Sequence, residues 1–309
     1  MNRLHLLAGP DFPPNVMQGR ACGVPGGIWL RDADESALRP ISEEELAGWL
    51  KRQGSAVVSH RGRFWVAQPS GFFHPVHWLA RMRAEEAERP ALFCWGYRTT
   101  LAEEDMFASN GTIPVHVLRN VRGYDLDALS SKRRNKVKNC MKHARIVQLL
   151  SPDLLLAQGA WVVASAFQRT GYRDRFAAGT YEEKVDSYFT MPGFFVLAGL
   201  VGEKLGGYVV AYAINRTLYV DEVHLASEYL STNIGTGLIF TLLKACGRSD
   251  VAEVVYGLHA REDAALCHYK SEMGFEVFHY PSKHWFLPGT EVVVRSRRPH
   301  AYYRLTGRG

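Results

Sequence analysis

The fold is decided by the segment Leu225-Ala226-Ser227-Glu228-Tyr229-Leu230-Ser231-Thr232-Asn233-Ile234-Gly235-Thr236-Gly237-Leu238. It follows an apolar stretch, residues 218–225, that is typical of a strand, and it leads into leucines and isoleucines at helical spacing. A strand that ends in such a turn before a helix directs several backbone N–H groups to one place. Those donors and the positive end of the helix dipole favour a phosphate group. The segment therefore predicts a site for a phosphate-bearing cofactor.

The elements after this turn extend the pattern. Residues 251–258 predict a buried strand, residues 263–273 predict a helix that Gly274 ends, and residues 275–280 predict another strand. This order resembles the second half of a GNAT (N-acetyltransferase) domain, in which the cofactor turn reads roughly V-A-P-E-Y-R-G-K-G-I-G. Here L-A-S-E-Y-L-S-T-N-I-G occupies that place. The resemblance implies that coenzyme A is bound by Leu225, Leu230, Ser231, Thr232, Asn233, Ile234, Gly235, Thr236 and Gly237.

Two positions depart from the family pattern. Leu230 replaces the usual Arg or Gln, and Asn233 replaces the first glycine. Asn tolerates a positive φ better than other non-glycine residues, so we expect the loop to close. A shifted register would instead place Thr232 at the Arg/Gln position and use Gly235 and Gly237 as the glycine pair. The same residues would also suit a capped helix start that binds no ligand.

Two further motifs narrow the resemblance. Residues 129–142 read L-S-S-K-R-R-N-K-V-K-N-C-M-K, and residues 268–275 read H-Y-K-S-E-M-G-F. They are similar to the "S-K-R-R-N-x-(K/R)" and "(H/R)-(F/Y)-K-x-x-(F/W/M)-G" motifs of one GNAT branch. That branch holds the Fem-type peptidoglycan aminoacyltransferases and acyltransferases of cellulose and exopolysaccharide synthesis. The resemblance implies an α/β (α+β) fold with a mixed, mostly antiparallel sheet flanked by helices.

The first part of the chain predicts a smaller α/β domain. A shift in composition near residues 119–127 suggests a boundary, giving an N-terminal domain at 1–125 and a transferase domain at 126–309. In Fem-type proteins the first domain is a degenerate GNAT-like unit, and the layout here is compatible with one. The expected elements are a helix at 42–52 with a capping box, a hairpin at 55–60 and 63–68, a helix at 78–87 and a strand at 91–97.

Composition is that of an intracellular globular protein. The 309 residues are 47% hydrophobic, which suffices for one large core or two modest ones. The five cysteines are scattered without a C-x-x-C pair, which argues against a disulfide framework and a zinc site. The opening residues are too short for a secretory signal, and no apolar run has membrane-spanning length. We therefore expect a cytoplasmic protein without a membrane span.

The excess of basic residues is concentrated in two short stretches of the second half of the chain. Residues 1–125 hold 14 Lys/Arg and 14 Asp/Glu, whereas residues 126–309 hold 23 and 17. Seven basic residues lie in 132–145 and five in 295–308, and neither stretch contains an acid. The 132–145 cluster suits either a solvated helix face or an anionic partner, such as coenzyme A phosphates, a nucleotide- or lipid-linked acceptor, or tRNA. The last several residues are interpreted as disordered, with an electrostatic arm as the alternative.

Acyl transfer needs a polarised carbonyl, a base and an acid. Glu222 and His224 share one face of the strand before the turn, where this superfamily often places its base. The same two residues would also suit a surface carboxylate and a satisfied core histidine. Tyr269 resembles the acid that protonates the departing thiolate, although it lies five residues before Gly274 instead of four. Lys270 is predicted to contact a phosphate or to cap the carbonyls at the end of its helix.

Other candidate sites are weaker. His74 and His77 do not predict a metal pair, because Pro75 between them fits only the first turn of a helix. No metal is therefore expected. Phe194, Phe195 and Tyr212 are predicted to line a pocket for an acyl group longer than acetyl.

The resulting functional hypothesis is an acyl-CoA-dependent N-acyltransferase. It would use acetyl-CoA or a longer acyl-CoA as co-substrate and transfer the acyl group directly to an amine-bearing acceptor. Two alternatives stay open. One is a Fem-like enzyme that takes its acyl group from aminoacyl-tRNA, and the other is a non-catalytic GNAT-like binding module in which Leu230 and Asn233 mark a lost cofactor site.

Overall fold

The computed structural model describes residues 30–68, 71–171, 181–191 and 193–308 of the chain. Strands within these ranges join into one continuous sheet. They are β1 (Leu30–Asp32), β2 (Val57–His60), β3 (Arg63–Ala67), β4 (Phe72–Pro75), β5 (Arg81–Met82), β6 (Gly96–Leu101), β7 (Gly111–Arg119), β8 (Arg145–Leu149), β9 (Phe194–Val201), β10 (Lys204–Ile214), β11 (Thr217–Leu225), β12 (Glu253–Leu258) and β13 (Glu276–Phe286).

Helices cover both faces of this sheet. They are α1 (Glu43–Arg52), α2 (Ser131–His143), α3 (Ala160–Thr170), α4 (Tyr181–Thr190), α5 (Ile234–Gly247), α6 (Ala264–Glu272), α7 (Thr290–Arg297) and α8 (Pro299–Thr306). Short 3₁₀ turns occupy Ala33–Glu35, Glu103–Ala108, Leu126–Ala128 and Ser227–Thr232, and a π turn at Leu155–Gly159 leads into α3. Among the described helices, none is both long enough and apolar enough to cross a bilayer.

The strand order is β1-β8-β9-β10-β11-β12-β7-β13-β6-β4-β3-β2, and β5 pairs with β6. The parallel pairs are β11 with β12, β4 with β6 and β5 with β6. The remaining neighbours in the described sheet are antiparallel. The predicted mixed, mostly antiparallel sheet flanked by helices is thus confirmed.

Strands from both sides of the predicted domain boundary alternate in the sheet. β7 comes from the first 125 residues, yet it pairs with β12 on one edge and with β13 on the other. β13 in turn pairs with β6. Strands from before and after residue 125 therefore belong to one hydrogen-bonded sheet. The division into two domains at that position stays a prediction.

Side chains of the central strands point alternately to the two faces of the sheet and form a hydrophobic core on each face. Val209 of β10 packs with α2 and α5 on one face, together with Leu218 and Ile239. Its neighbour Val210 packs on the opposite face with Val185 of α4. Successive side chains of a strand point to opposite faces, so one strand supplies both layers. The sheet is buried on both faces in its centre, where the functional residues predicted from the sequence lie.

Two predicted elements of the first part are confirmed. α1 begins with a capping box, in which Ser42 Oγ accepts from the Glu45 N–H at 3.1 Å and Glu45 Oε2 accepts from the Ser42 N–H at 2.8 Å. β2 and β3 form the expected hairpin. Its turn places Arg61 and Gly62 at φ values of 52° and 75°, which match the twist of the strands.

Two other predictions for this part are wrong. The stretch 78–87 contains turns and β5, because Arg81 and Met82 pair with β6 instead of forming a helix. The stretch 91–97 begins as a turn that exposes Leu92 and Phe93, and the strand starts only at Gly96. Pairing with β6 thus decides the first case, and in the second the strand is limited to the residues that pair with β13 and β4.

Disorder of the last several residues of the tail 295–309 is also a wrong prediction as far as Thr306, because the segment 290–306 is helical. They form α7 and α8, in which Tyr302 and Tyr303 are buried. Tyr302 packs with Phe72 and Phe286, and its hydroxyl donates to Glu291 at 2.7 Å. The aromatic residues, more than the basic ones around them, therefore determine the structure of this segment.

A close contact between α2 and α5 depends on Gly237. A Cβ built on Gly237 would lie 2.2 Å from the Sγ of Cys140, which is buried in α2. Real carbon–sulfur contacts are far longer, so any side chain here would push the two helices apart. Gly237, which lies in the turn predicted to bind the cofactor, thus serves helix packing.

We expect Gly237→Ala to lower the free energy of unfolding by about 1–3 kcal/mol through overpacking, although Ala is the better helix former. Urea denaturation measures the change. Cys140→Ala opens the same space, so the double variant should lose less than the sum of the two single losses. Strictly additive losses would contradict this account of the α2–α5 contact.

Candidate active site

The parallel strands β11 and β12 separate after a short paired stretch. Thr217, Leu218 and Tyr219 pair with Glu253, Val254 and Val255. Both strands then continue, yet no ladder pair of the described sheet joins residues 220–225 to residues 256–258. We call the gap between these two segments the wedge. It opens at the end of β11, immediately before the turn that was predicted to bind the cofactor.

Backbone groups of β11 face the wedge. The N–H of Ala226 donates to the Gly206 carbonyl of β10 at 3.0 Å. Because an antiparallel ladder alternates its directions, the N–H groups of Val223 and Leu225 face the other edge of β11. Arg169 Nη1 donates to the Leu225 carbonyl at 2.8 Å, which agrees with this orientation. β11 therefore presents two backbone donors towards the wedge.

The turn before α5 has the backbone that the sequence predicts. Asn233 adopts a φ of 61°, and α5 begins at the next residue. The N–H groups of Thr236 and Gly237 both donate to the Asn233 carbonyl, at 2.9 and 3.2 Å. Ile234 and Gly235 occupy the first helical positions, where an N–H has no intrahelical acceptor. These donors add to the positive end of the α5 dipole.

The start of α5 packs directly on the end of β11. A Cβ on Gly235 would lie 2.6 Å from Leu225 Cδ1. Leu230 and Ser231 in the preceding turn are exposed, Thr232 is half-buried, and residues 234–237 are buried. The residues of the turn before α5 are thus accessible to solvent, whereas the first residues of α5 are held in place by packing.

Arg133 is a site residue that the sequence analysis missed. It lies in α2, is only 4% exposed, and reaches the first turn of α5, where its Nη1 donates to Thr236 Oγ1 at 3.2 Å. Its Nη2 forms an ion pair with Glu272, and its guanidinium lies 4.9 Å from the centre of the Tyr269 ring. A charge this deeply buried without such partners would be strongly unfavourable.

Helical spacing could have identified Arg133. The buried residues Val137 and Cys140 of α2 lie four and seven positions after it, on the same face. The neighbouring face of α2 meets the turn, because Asn139 Nδ2 donates to the Ser231 carbonyl at 3.3 Å. Lys132 and Lys136 precede Asn139 at helical spacing on that face. Lys132 and Lys136, from the first part of the predicted basic cluster, thus lie on the face of α2 beside the predicted phosphate turn.

Glu222 and His224 are in contact, as their shared strand face predicts. His224 Nε2 lies 2.9 Å from Glu222 Oε2, and Lys184 of α4 forms an ion pair with the same carboxylate. The rings of Tyr208 and Phe167 flank the imidazole, with centroids 5.1 and 5.9 Å away. Nothing here resembles a solvated surface carboxylate.

Electrostatics favour the ionised form of this carboxyl group. Burial alone would raise the pKa of Glu222, but the hydrogen bond with His224 and the charge of Lys184 outweigh it and lower the pKa. Burial raises the pKa of Tyr188, and the Glu222 charge raises it further. Glu222 is therefore a stable acceptor that orients the imidazole of His224.

The two sets of residues lie on opposite faces of the sheet. Arg133 and Gly235 belong to the α2–α5 face, whereas His224 lies among residues of α3 and α4. Both sets border the unpaired part of β11. The wedge is the place where a bound molecule would contact both.

Tyr269 and Lys270 each donate a side-chain hydrogen bond to a backbone carbonyl. The Tyr269 hydroxyl donates to the Gly235 carbonyl at 3.1 Å, and burial raises the pKa of this phenol. Lys270 Nζ donates at 2.6 Å to the carbonyl of Tyr256, the first β12 residue beyond the paired stretch. Burial lowers the pKa of Lys270 to about 8. The predicted roles of both residues, as thiolate acid and phosphate ligand, stay predictions.

The three residues predicted to line an acyl pocket do not share one face of the sheet. Phe194 and Tyr212 share a face, with ring centroids 5.5 Å apart, whereas Phe195 is buried on the opposite face against α5. An open cavity of about 490 Å³ lies between Asp32–Asp34 and the end of α2, away from the wedge. The wedge is thus identified by strand geometry alone.

Comparison with known proteins identifies the fold. No family model and no curated protein sequence matches the chain. The structure of FemX superposes with a TM-score of 0.58 at 9% identity and covers 85% of this chain and 100% of that one. The C-terminal domain of a putative lysylphosphatidylglycerol synthetase from Agrobacterium fabrum gives 0.56 at 10%, covering 87% and 94%. L-PGS from Bacillus licheniformis gives 0.52 at 12%, covering 89% and 100%. The chain therefore has the GNAT-like fold in its Fem-type form.

Proposed function

We propose that this chain is an acyltransferase whose wedge holds the reacting acyl group. The observation that supports this most is the separation of β11 from β12 directly before a helix N-terminus. An acyl carbonyl in the wedge would accept hydrogen bonds from the N–H groups of Val223 or Leu225. Fixed backbone donors of this kind stabilise the oxyanion that forms during acyl transfer.

The proposed donor is acetyl-CoA or another acyl-CoA. Its pyrophosphate would lie on the N–H groups of Ile234 and Gly235, near the guanidinium of Arg133. The buried Nε of Arg133 has no acceptor within the described chain. Since an unpaired buried donor is unfavourable by about 1–3 kcal/mol, a phosphate oxygen placed there would remove that cost. The face carrying Lys132 and Lys136 would meet further phosphate charge.

The proposed acceptor is an amine that His224 deprotonates. Glu222 accepts the Nε2–H of His224, which leaves Nδ1 to take the proton as the amine attacks the thioester carbon. The carbon–sulfur bond then breaks, and the thiolate takes a proton from water or, as the sequence predicts, from Tyr269. The imidazole–carboxylate pair thereby acts as base and orienting group.

A second donor, aminoacyl-tRNA, is favoured by one specific observation. Fold neighbours that span most of the chain are named FemX and lysylphosphatidylglycerol synthetase, and the second name denotes the attachment of a lysyl group. The same wedge would accept an aminoacyl ester, and the basic face of α2 would meet the tRNA backbone. A non-catalytic binding module is the remaining alternative.

Coenzyme A binding separates these possibilities. A ligand that binds only the native state at a hundred times its dissociation constant adds about 2.7 kcal/mol of stability, which a thermal-shift titration detects easily. We expect coenzyme A and acyl-CoAs to raise the melting temperature of the wild type. Arg133→Gln should need at least ten times more ligand for the same rise in melting temperature. The reason is that a buried charge–phosphate contact contributes about 1.5–3 kcal/mol.

Lys142→Gln is the matched control, because it removes one positive charge from the exposed far end of the same helix. Its titration should follow that of the wild type. No shift with any coenzyme A ester at millimolar concentration would contradict the acyl-CoA donor. Binding of an aminoacylated tRNA acceptor stem to the same protein would then support the second donor, and its absence would support the binding module.

Acid should destabilise the wild type partly through Glu222. Its pKa is lower in the folded than in the unfolded chain, where a glutamate titrates at about 4.3. The carboxylate therefore stabilises the fold above about pH 4.3, and this contribution is lost as pH falls through the lower folded value. Urea unfolding of Glu222→Gln at a series of pH values should show lower stability at pH 7 and a flatter fall below pH 5.

Glu203→Gln, in the exposed turn between β9 and β10, serves as the control and should keep the wild-type profile. If Glu222→Gln and the wild type lose stability in parallel as pH falls, Glu222 is not held ionised by His224 and Lys184.

A further inference from the structure

Three side chains from separate elements converge near the end of β12. His116 comes from β7, His259 follows β12, and Cys267 lies in α6. His116 Nε2 is 3.2 Å from His259 Nδ1, and Cys267 Sγ is 3.5 Å from the same nitrogen. One ligand atom from each residue lies within 4.8 Å of the other two. His116 is buried, and the other two side chains are half-buried.

Hydrogen bonding accounts for only part of this convergence. An imidazole nitrogen offers either one lone pair or one N–H in the ring plane, so His259 Nδ1 can form only one good hydrogen bond. Two polar atoms nevertheless approach it. The thiol of Cys267 has another acceptor in the Ala260 carbonyl at 3.3 Å. A cation between the three atoms would use every lone pair that is directed inwards.

The two shortest ligand–ligand distances agree with a tetrahedral metal site. Zinc–nitrogen bonds of about 2.0–2.1 Å and zinc–sulfur bonds of about 2.3 Å imply tetrahedral edges of about 3.3 Å between nitrogens and about 3.6 Å between nitrogen and sulfur. The two short edges observed are 3.2 and 3.5 Å. We propose that His116 Nε2, His259 Nδ1 and Cys267 Sγ bind Zn²⁺, leaving the fourth position for water or a small ligand.

The chemical state of the side chains suits this role. Burial lowers the pKa of His116 to about 4 and also lowers the pKa of His259, so both rings are neutral near pH 7. No partner within the described chain engages His116 Nδ1, which leaves that atom to carry the ring proton while Nε2 faces the metal. When the metal binds, the Cys267 S–H bond breaks, a zinc–sulfur bond forms, and the proton goes to solvent.

Positive charge around the site is balanced in part. Lys270, Arg261 and His279 face the cluster. Lys270 is hydrogen-bonded to the Tyr256 carbonyl, and Asp263 lies near it. The thiolate formed on binding neutralises one charge of the ion.

The metal would fasten α6 to the sheet. Its ligands connect β7, the end of β12 and α6, the helix that carries Tyr269 and Lys270. The expectation of no metal came from the absence of a C-x-x-C pair and from the unsuitable pair His74 and His77. The three ligands proposed here lie far apart in the chain and fit neither pattern. This inference does not depend on the proposed acyl transfer, since the ligands hold the metal whatever the wedge binds.

Zinc content after dialysis tests the site directly. The wild type, loaded with Zn²⁺ and dialysed against metal-free buffer, should retain about one ion per chain by elemental analysis. Cys267→Ser and His259→Gln should retain less than a tenth of that amount. His268→Gln is the control, because it changes the exposed neighbour of Cys267 in the same helix and should retain zinc like the wild type.

Cobalt identifies the sulfur ligand even if a variant fails to fold. Co²⁺ added to the metal-free wild type should give a thiolate-to-cobalt charge-transfer band, and stripping the metal with a chelator should lower the melting temperature. The band should persist in His268→Gln. Absence of both retained zinc and the cobalt band in the wild type would overturn the proposal. Equal zinc retention by folded Cys267→Ser and the wild type would overturn it as well.

Discussion

The short parallel pairing of β11 with β12 is the constraint on which the site depends. Three residue pairs hold the strands together, and both strands then continue apart. Because β11 leads into α5 and β12 leads into α6, the separation also spreads the two helices. Unpaired backbone in a sheet interior is unfavourable unless another group satisfies it. Arg169 and Lys270 supply hydrogens to carbonyls on either side of the wedge, which explains why two cations lie at this point of the sheet.

The first turn of α5 is the second element of the account. Leu225 packs against Gly235, Cys140 packs against Gly237, and the Tyr269 hydroxyl binds the Gly235 carbonyl. Arg133 joins the same turn to Glu272 of α6. A buried ion pair of this kind adds little net stability by itself, but removing one partner leaves a buried charge uncompensated. The turn is therefore held rigidly in place before any ligand arrives, which is the condition for strong anion binding.

The sequence predicted those parts of the fold that are decided locally. The strand, turn and helix around Asn233 follow from residue patterns within one stretch of chain, and so does the capping box at Ser42. The contact of Glu222 with His224 follows from the two-residue period of a strand. The site features that need distant pairing were not predictable in this way. Arg133 was hidden among six basic neighbours in residues 132–145, and only its contact with α5 distinguishes it.

Tertiary contacts also overrode local patterns elsewhere. β5 exists because Arg81 and Met82 pair with β6, although a helix was predicted at 78–87. The insertion of β7 between β12 and β13 has no sequence signal, since nothing in a strand specifies which edge it will join. The three proposed metal ligands are another case, because the pairing of β7 with β12 brings residue 116 beside residue 259, and the packing of α6 adds residue 267. Local sequence patterns thus do not contain the long-range topology of the sheet.

The central claim is that the wedge receives the acyl group of a donor bound at α5. A crystal structure of the protein with a non-transferable acyl-CoA thioether tests it most directly. We expect the acyl group to lie between residues 220–225 and 256–258. The pyrophosphate of the coenzyme A part should lie within hydrogen-bond distance of the N–H groups of Ile234 and Gly235. A structure in which β11 and β12 close on each other, or in which the thioether binds away from α5, would contradict it.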